Sequence, residues 1–164
     1  MNLGVTFLRD ATQYAIAILL AATLQVSSLA QSSNPKEIPF ERSRTFGLVL
    51  VKAEINGKVA VLIVDTGSNQ TIISSEMADV PARSLHNVVA TEKGSGFSGV
   101  GSFTRATLKV GPLTWSDRKV VAMDMHVFSK SLGQTADGLL GMDFLSEFKS
   151  VVVDLKNHRL ILEP

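Results

Sequence analysis

VLIVDTGSNQTIIS, residues 61–74, decides how the rest of the chain is read. Four apolar residues, Val61 to Val64, run without a polar interruption and stop at an acid, Asp65. A loop of small residues, Thr66-Gly67-Ser68-Asn69, follows, and a second β-rich run begins at Thr71-Ile72-Ile73. A continuous apolar run of this length predicts a strand covered on both faces. The stretch therefore places a carboxylate at the end of a buried strand, where an isolated ionised acid is strongly disfavoured. The following residues can compensate. Thr66 and Ser68 carry hydroxyls, and Gly67 lets the backbone turn tightly and aim an N–H at an oxygen.

Working backwards from Asp65, Val59 to Val64 reads as the return strand of a hairpin. Asn56-Gly57 is its turn, since both positions of a type I′ turn need φ > 0. Phe46 to Ile55 is the outgoing strand. Residues 31–44 (QSSNPKEIPFERSR) are polar, hold two prolines and read as a linker or N-terminal arm. Tyr14 to Leu24 is apolar except for Thr23, and at about 11 residues it is too short to span a bilayer, which needs about 20. It fits the apolar part of a secretory signal peptide, with Ser28-Leu29-Ala30 as the small-residue cleavage site before Gln31. The expectation is a signal peptide over 1–30, a linker or arm over 31–44 and one domain over 45–164, in a periplasmic or secreted protein with no stable membrane span after cleavage. The alternative is an uncleaved membrane anchor.

Working forwards, residues 75–90 are mixed, with Pro81 breaking any helix and a strand expected near Asn87 to Ala90. Gly94 to Gly101 (GSGFSGVG) is glycine-rich between β-like segments. Thr104 to Val110 and Leu113 to Trp115 flank a Gly111-Pro112 turn, and Lys119 to Met123 is a further strand. Met142, Leu145 and Phe148 recur at helical spacing, predicting a two-turn helix over 142–148. Val151 to Leu155 and Arg159 to Leu162 frame a closing hairpin. Many short strands and one or two short helices predict an all-β domain, closed or sandwiched.

Composition narrows the chemistry. The chain has 164 residues and 45% apolar content, enough for one domain with a real core. The net charge of +1 gives no reason to expect nucleic-acid binding. There is no cysteine, which excludes thiol catalysis, disulfides and zinc-thiolate sites. The three histidines, His86, His126 and His158, are scattered without metal-ligand spacing, so no metal and no cofactor are expected.

That leaves Asp65. Hydrolysis of an amide by water needs one group to take the water's proton and another to polarise the carbonyl. Two carboxylates a few Å apart do both by sharing a single proton. Asp-Thr-Gly occurs once, and Asp117, Asp124, Asp137, Asp143 and Asp154 all lack its context. A dyad would then draw its second Asp65 from a second copy of the chain, since a two-fold axis sets identical groups face to face.

VDTGSNQTIIS resembles the active-site loop of aspartic proteases, and ADGLLGMDFL, residues 136–145, resembles the second signature of the same clan. The order of hairpins also matches, so the chain between Phe46 and Leu162 is similar to the single-domain, retropepsin-like aspartic proteases, in particular the bacterial exported kind. The resemblance implies a closed β-barrel in a symmetric homodimer acting on peptide or protein substrates as an endopeptidase. It implies that Asp65 is the catalytic carboxylate. Thr66 would brace the dyad across the dimer, Gly67 would donate its N–H to the carboxylates, and Ser68 would bond the outer oxygen of Asp65. Leu139, Leu140 and Gly141 would pack beneath the loop. Gly96, Phe97, Ser98 and Gly99 would belong to a flap closing over substrate, and the N-terminal arm and C-terminal strand are candidates for a dimer sheet. Plainer readings stand beside these: Asp65 as an ordinary turn residue, Gly94 to Gly101 as a surface loop, Trp115 and Phe128 as packing residues. Asp137 reads as a brace before Gly138 and not as a second acid. The rival functions are a catalytically silent peptide-binding module of the same fold and a structural envelope protein tethered by its N-terminus.

Overall fold

The hairpin around Asn56-Gly57 sets two strands of the barrel side by side. Asn56 has φ 51° and Gly57 φ 80°, both in the left-handed region that a type I′ turn requires. They join β2 (Val49–Ile55) to β3 (Lys58–Val64) in antiparallel register from Leu50↔Ile63 to Ile55↔Lys58. The structure is a computed structural model and describes residues 34–79, 86–90 and 97–164. The expected signal peptide, residues 1–30, lies outside the described residues, as does Gly96.

The remaining elements are β1 (Lys36–Arg42), β4 (Ile72–Ser74), β5 (His86–Ala90), β6 (Phe97–Val110), β7 (Leu113–Met123), α1 (His126–Leu132), β8 (Gly138–Leu140), α2 (Met142–Leu145), β9 (Ser150–Asp154) and β10 (Arg159–Glu163). Neighbouring strands run β2–β3–β8–β4–β7–β6, and β6 pairs back onto β2 through Ala53↔Val110, Glu54↔Lys109 and Ile55↔Leu108. Six strands therefore close on themselves as a barrel, the all-β closed architecture expected, with two short helices among the described residues.

β3 runs through the middle of this arrangement. Leu62 faces one apolar cluster with Ile55, Leu108, Leu140, Phe144 and Leu145. Ile63, one residue on, faces a second cluster with Leu50, Ile72, Val121 and Leu139. Successive side chains of a strand point to opposite faces, so an uninterrupted apolar run is what a strand buried on both sides needs. Beyond the barrel, β1 pairs with β2 at one end (Phe40↔Val51) and with β10 at the other (Lys36↔Leu162), and β10 pairs with β9.

Four local expectations change. Residues 36–42 are strand β1 and not a linker, because Ile38 and Phe40 alternate inward and bury at 2% and 4% exposure. The folded unit thus reaches back to Pro35. Leu113 to Met123 is one strand with a bulge of its own at Ser116-Asp117, since it takes three residues from Trp115 to Arg118 where β6 takes two from Ala106 to Leu108, and Asp117 has φ 52°. The helix expected over 142–148 is a single turn, followed by tighter turns in which Glu147 N–H donates to Phe144 O and Phe148 N–H to Leu145 O. α1 was not anticipated. Leu132 is its one buried residue, so the apolar periodicity is weak, and its clearest mark is Gly133, which ends it at φ 65°.

Candidate active site

Asp65 leaves β3 without leaving the sheet. β3 and β8 are parallel neighbours (Leu62↔Gly138 to Val64↔Leu140), and the Asp65 N–H donates to Leu140 O at 3.0 Å. The loop then turns on its own acid. Gly67 N–H donates to Asp65 Oδ1 at 2.8 Å, and Ser68 N–H donates to Asp65 O at 3.3 Å. Asp65 is half-buried, while Thr66 and Gly67 are exposed at the crest of the loop. A carboxylate oxygen that accepts a backbone N–H is held in orientation.

The underside of the loop is held by the segment around β8. Ser68 O accepts the Met142 N–H at 2.8 Å. Thr71, fully buried, accepts the Gly141 N–H on its hydroxyl at 3.0 Å and donates that hydroxyl's proton to Asp143 Oδ1 at 2.7 Å. The approach is too close for side chains. A Cβ on Gly141 would lie 2.7 Å from Gln70 C and O, and one on Gly138 would lie 2.2 Å from Ile72 O. Leu139 and Leu140 are buried at 5% and 1% exposure and anchor this segment into the two apolar clusters, one each.

Ser68 differs from expectation. Its hydroxyl donates to Gln70 O at 2.7 Å, tightening the loop two residues on, and does not reach Asp65. Of the flap positions, Gly96 lies outside the described residues. Phe97, Ser98 and Gly99 lie on β6, paired antiparallel with Ala90, Val89 and Val88 of β5. Thr71 and Asp143 are the residues that sequence reasoning missed. The available signal was a hydroxyl at the head of an apolar strand, with an acid two residues beyond the glycine that meets it.

The other aspartates weighed from the sequence all have structural work. Asp137 Oδ2 accepts the Val61 N–H at 2.8 Å, its own N–H donates to Val61 O, and its carbonyl accepts the Ser74 N–H. Val61 is four residues before Asp65 on the same extended strand, or roughly 13 Å away at about 3.3 Å per residue. Asp137 therefore braces β3 and cannot pair with Asp65 in one chain. Asp143 holds Thr71. Asp117 bonds Arg105, which holds its carboxyl below the usual range, and Arg105 is raised by the same bond. Asp154 is lowered mainly by the Asn157 side-chain amide and then by the Asn157 backbone N–H. Asp124 accepts the His126 N–H. Two clefts, one lined by Ile38, Phe40 and Val59 and one by Ser75, Asp124 and Lys130, do not include Asp65 or its loop.

Comparison with known proteins gives the same outline. The family described as aspartyl protease matches residues 51–144, from β2 to α2. The crystal structure of a retropepsin-like aspartic protease from Rickettsia conorii superposes with a TM-score of 0.54 at 22% identity, covering 78% of this chain and 90% of that one, a likeness of fold. The retroviral protease-like domain of Ddi1 from Leishmania major matches at 17% identity and a TM-score of 0.36, covering 71% of this chain and 94% of that one. No curated protein matches the chain.

Proposed function

Given that the chain belongs to the aspartyl protease family and has the retropepsin-like fold, we propose that it is an endopeptidase whose dyad is two copies of Asp65, one from each chain of a symmetric dimer. The observation that carries this reading is the disposition of the aspartates. Asp65 sits at a loop whose crest is exposed, with a backbone N–H on one oxygen, whereas Asp117, Asp124, Asp137, Asp143 and Asp154 are each engaged in bonds that brace the fold or its turns. One chain then supplies one acid to a reaction that needs two.

In the proposed mechanism a water lies between the two Asp65 carboxyl groups, which hold one proton. The ionised one takes a proton from the water as its oxygen attacks the scissile carbonyl carbon. The protonated one donates to the carbonyl oxygen, giving a neutral tetrahedral diol. The diol collapses when the amide nitrogen takes a proton from one carboxyl group and the C–N bond breaks. The other carboxylate takes the proton from a diol hydroxyl. An acid and an amine leave, and the dyad again holds one proton. Gly67 N–H keeps each carboxylate aimed throughout. The β5–β6 hairpin, with Gly96 to Gly99, is proposed as the flap that covers an extended peptide and binds its backbone as a sheet edge accepts a strand. Export with cleavage before Gln31 is proposed from the sequence pattern, and N-terminal sequencing of exported protein tests it.

The test is Asp65→Asn, assayed against a diverse peptide library by mass spectrometry. Turnover should vanish with the thermal melt preserved, because an amide can neither accept the water's proton nor share one. A folded variant that cleaves near the parental rate would refute the assignment. Peptide bound by the parent without turnover would make the protein a binding module.

A further inference from the structure

We propose that the loop joining β1 to β2, with Arg42, Arg44 and Phe46, is a substrate subsite that reads an acidic side chain beside an apolar one. The inference rests on the endopeptidase reading of Asp65, and names the class of peptide that this chain takes.

The loop stands at the Asp65 end of the barrel. The printed register of β2 on β3 reaches Leu50↔Ile63, and two further residues along it set Leu48 across from Asp65. Neighbouring strands lie about 4.8 Å apart and rise about 3.3 Å per residue, so the backbone of Phe46 falls roughly 8–10 Å from that of Asp65. An extended peptide covers that span in about three residues. The loop therefore meets side chains removed from the scissile bond, and a symmetric dimer presents one such loop toward each end of the peptide.

The loop is ordered without a ligand. Ser43 is buried. Its N–H donates to Leu48 O at 2.8 Å, its hydroxyl accepts the Leu48 N–H at 2.9 Å, and its carbonyl accepts the Gly47 N–H at 3.1 Å. The crest is tied to the C-terminal end of α1: the Thr45 hydroxyl donates to Leu132 O at 3.1 Å and the Arg44 N–H to Gln134 Oε1 at 3.3 Å. Gly47 has φ 67°, and the Arg42 guanidinium lies against it, since a Cβ there would sit 2.7 Å from Arg42 Nη2. A surface already ordered loses little conformational entropy on binding.

The groups that this loop displays call for a particular occupant. Phe46 is 64% exposed at the crest, a large apolar face held in water. Among the described residues Arg105, Arg118 and Arg159 each pair with a carboxylate, whereas Arg42 and Arg44, both exposed, pair with none. The acids of β1 are engaged elsewhere, Glu37 by Arg159 and Glu41 by Lys52. Two guanidinium groups thus flank one aromatic ring with no acid of the described chain answering them. The complementary ligand is an Asp or Glu side chain, which a guanidinium binds through two parallel hydrogen bonds, with an apolar neighbour laid on Phe46.

The experiment is charge reversal by Arg44→Glu in the full chain. Arg44 is bonded within the fold through its backbone N–H, so the variant should melt near the parent. Matched peptides carry Asp or Lys at each position two to four residues from a cleaved bond. The readout is the acidic-to-basic ratio of kcat/KM, which cancels any loss common to both peptides. The parent should favour the acidic peptide by about fivefold, the size of one well-placed exposed ion pair, and high salt should shrink the preference. Arg44→Glu should bring the ratio to one or below. Phe46→Ala should lose the preference for Leu over Ser beside the acid. The same peptides are captured on folded Asp65→Asn chain, with and without Arg44→Glu, to read selection without turnover. A parental ratio near one, or a ratio and capture that Arg44→Glu leaves unchanged, would overturn the subsite while cleavage lost in Asp65→Asn keeps the active site standing. Acid-selective capture that reverses with Arg44→Glu, in a parent that cleaves nothing, upholds the subsite and overturns the endopeptidase. Neither cleavage nor capture overturns both.

Discussion

Thr71→Val tests whether the active-site loop is held from beneath by a single hydroxyl. The substitution keeps the β-branched shape of a fully buried side chain and removes only its donor and acceptor. Two bonds are lost: the one from Gly141 N–H at 3.0 Å and the one to Asp143 Oδ1 at 2.7 Å. The Gly141 N–H is buried, and an orphaned buried donor costs about 1–3 kcal/mol. Asp143 is half-buried, so water can replace its lost donor in part, adding about 1 kcal/mol rather than the larger value of a buried charged bond. The expected loss is about 2–4 kcal/mol. At about 3–5 °C per kcal/mol for a domain of this size, the melt should fall by roughly 6–20 °C. Measurement is by thermal and urea unfolding at one fixed protein concentration, since dimerisation adds to apparent stability. Thr71→Ser keeps the hydroxyl and loses only a methyl group, about 1 kcal/mol, so it separates the bonds from the packing. Turnover should fall with Thr71→Val and return with Thr71→Ser, because the Gly141 contact fixes the segment to which Asp65 N–H and Ser68 O are bound. If the Val variant is within about 0.5 kcal/mol of the Ser variant, the two hydrogen bonds do not hold the loop and the argument fails.

Gly138→Ala should lose about 3 kcal/mol or more or fail to fold, since its Cβ would meet Ile72 O at 2.2 Å and β8 cannot move without parting from β3; a melt near the parent's would contradict the geometry. Asp154→Ala should be less stable than the parent at neutral pH. Because the folded carboxyl is held low by Asn157, the parent's advantage is present above the unfolded value of about 3.9 and is lost as pH falls through the folded value; a stability gap that widens on acidification would reverse the sign. Peptide turnover should follow a bell-shaped pH profile with two values belonging to the pair, and activity still rising above about pH 9 would indicate another catalytic group. Excess Asp65→Asn chains mixed with parent should suppress turnover, since each mixed dimer holds one acid; rates proportional to parent alone would contradict a shared site.

The barrel was legible wherever the sequence carried a local rule. The Asn56-Gly57 turn, the two-faced burial of β3 and the closing hairpin follow from φ > 0 chemistry and apolar runs. Misreadings came where the deciding partner is distant. Lys36–Arg42 is polar at every second place and holds Pro39, so it looked like a linker until Leu160, Leu162 and Val51 supplied its neighbours. α1 shows too little periodicity because it buries one residue. The site divides the same way. Asp65 stands out by its position after β3, whereas Thr71 and Asp143 are 72 residues apart and acquire meaning only when β4 and β8 pair.

The support of Asp65 and its proposed chemistry therefore draw on different contacts. The bonds that fix the loop from beneath, Asp65 N–H to Leu140 O, Met142 N–H to Ser68 O and Gly141 N–H to Thr71 Oγ1, lie within one chain. A monomer would already hold its carboxylate in place with little left to order, and association would supply the second acid without building the first. Preorganised groups of this kind lower the cost of reaching the transition state because they need no rearrangement as charge develops. The consequence is a separation that ordinary destabilisation cannot mimic. Dilution below the dimer dissociation constant should abolish turnover while the amide protons of Asp65 and Gly141 stay protected from exchange. Thr71→Val should instead release that protection even in the concentrated dimer.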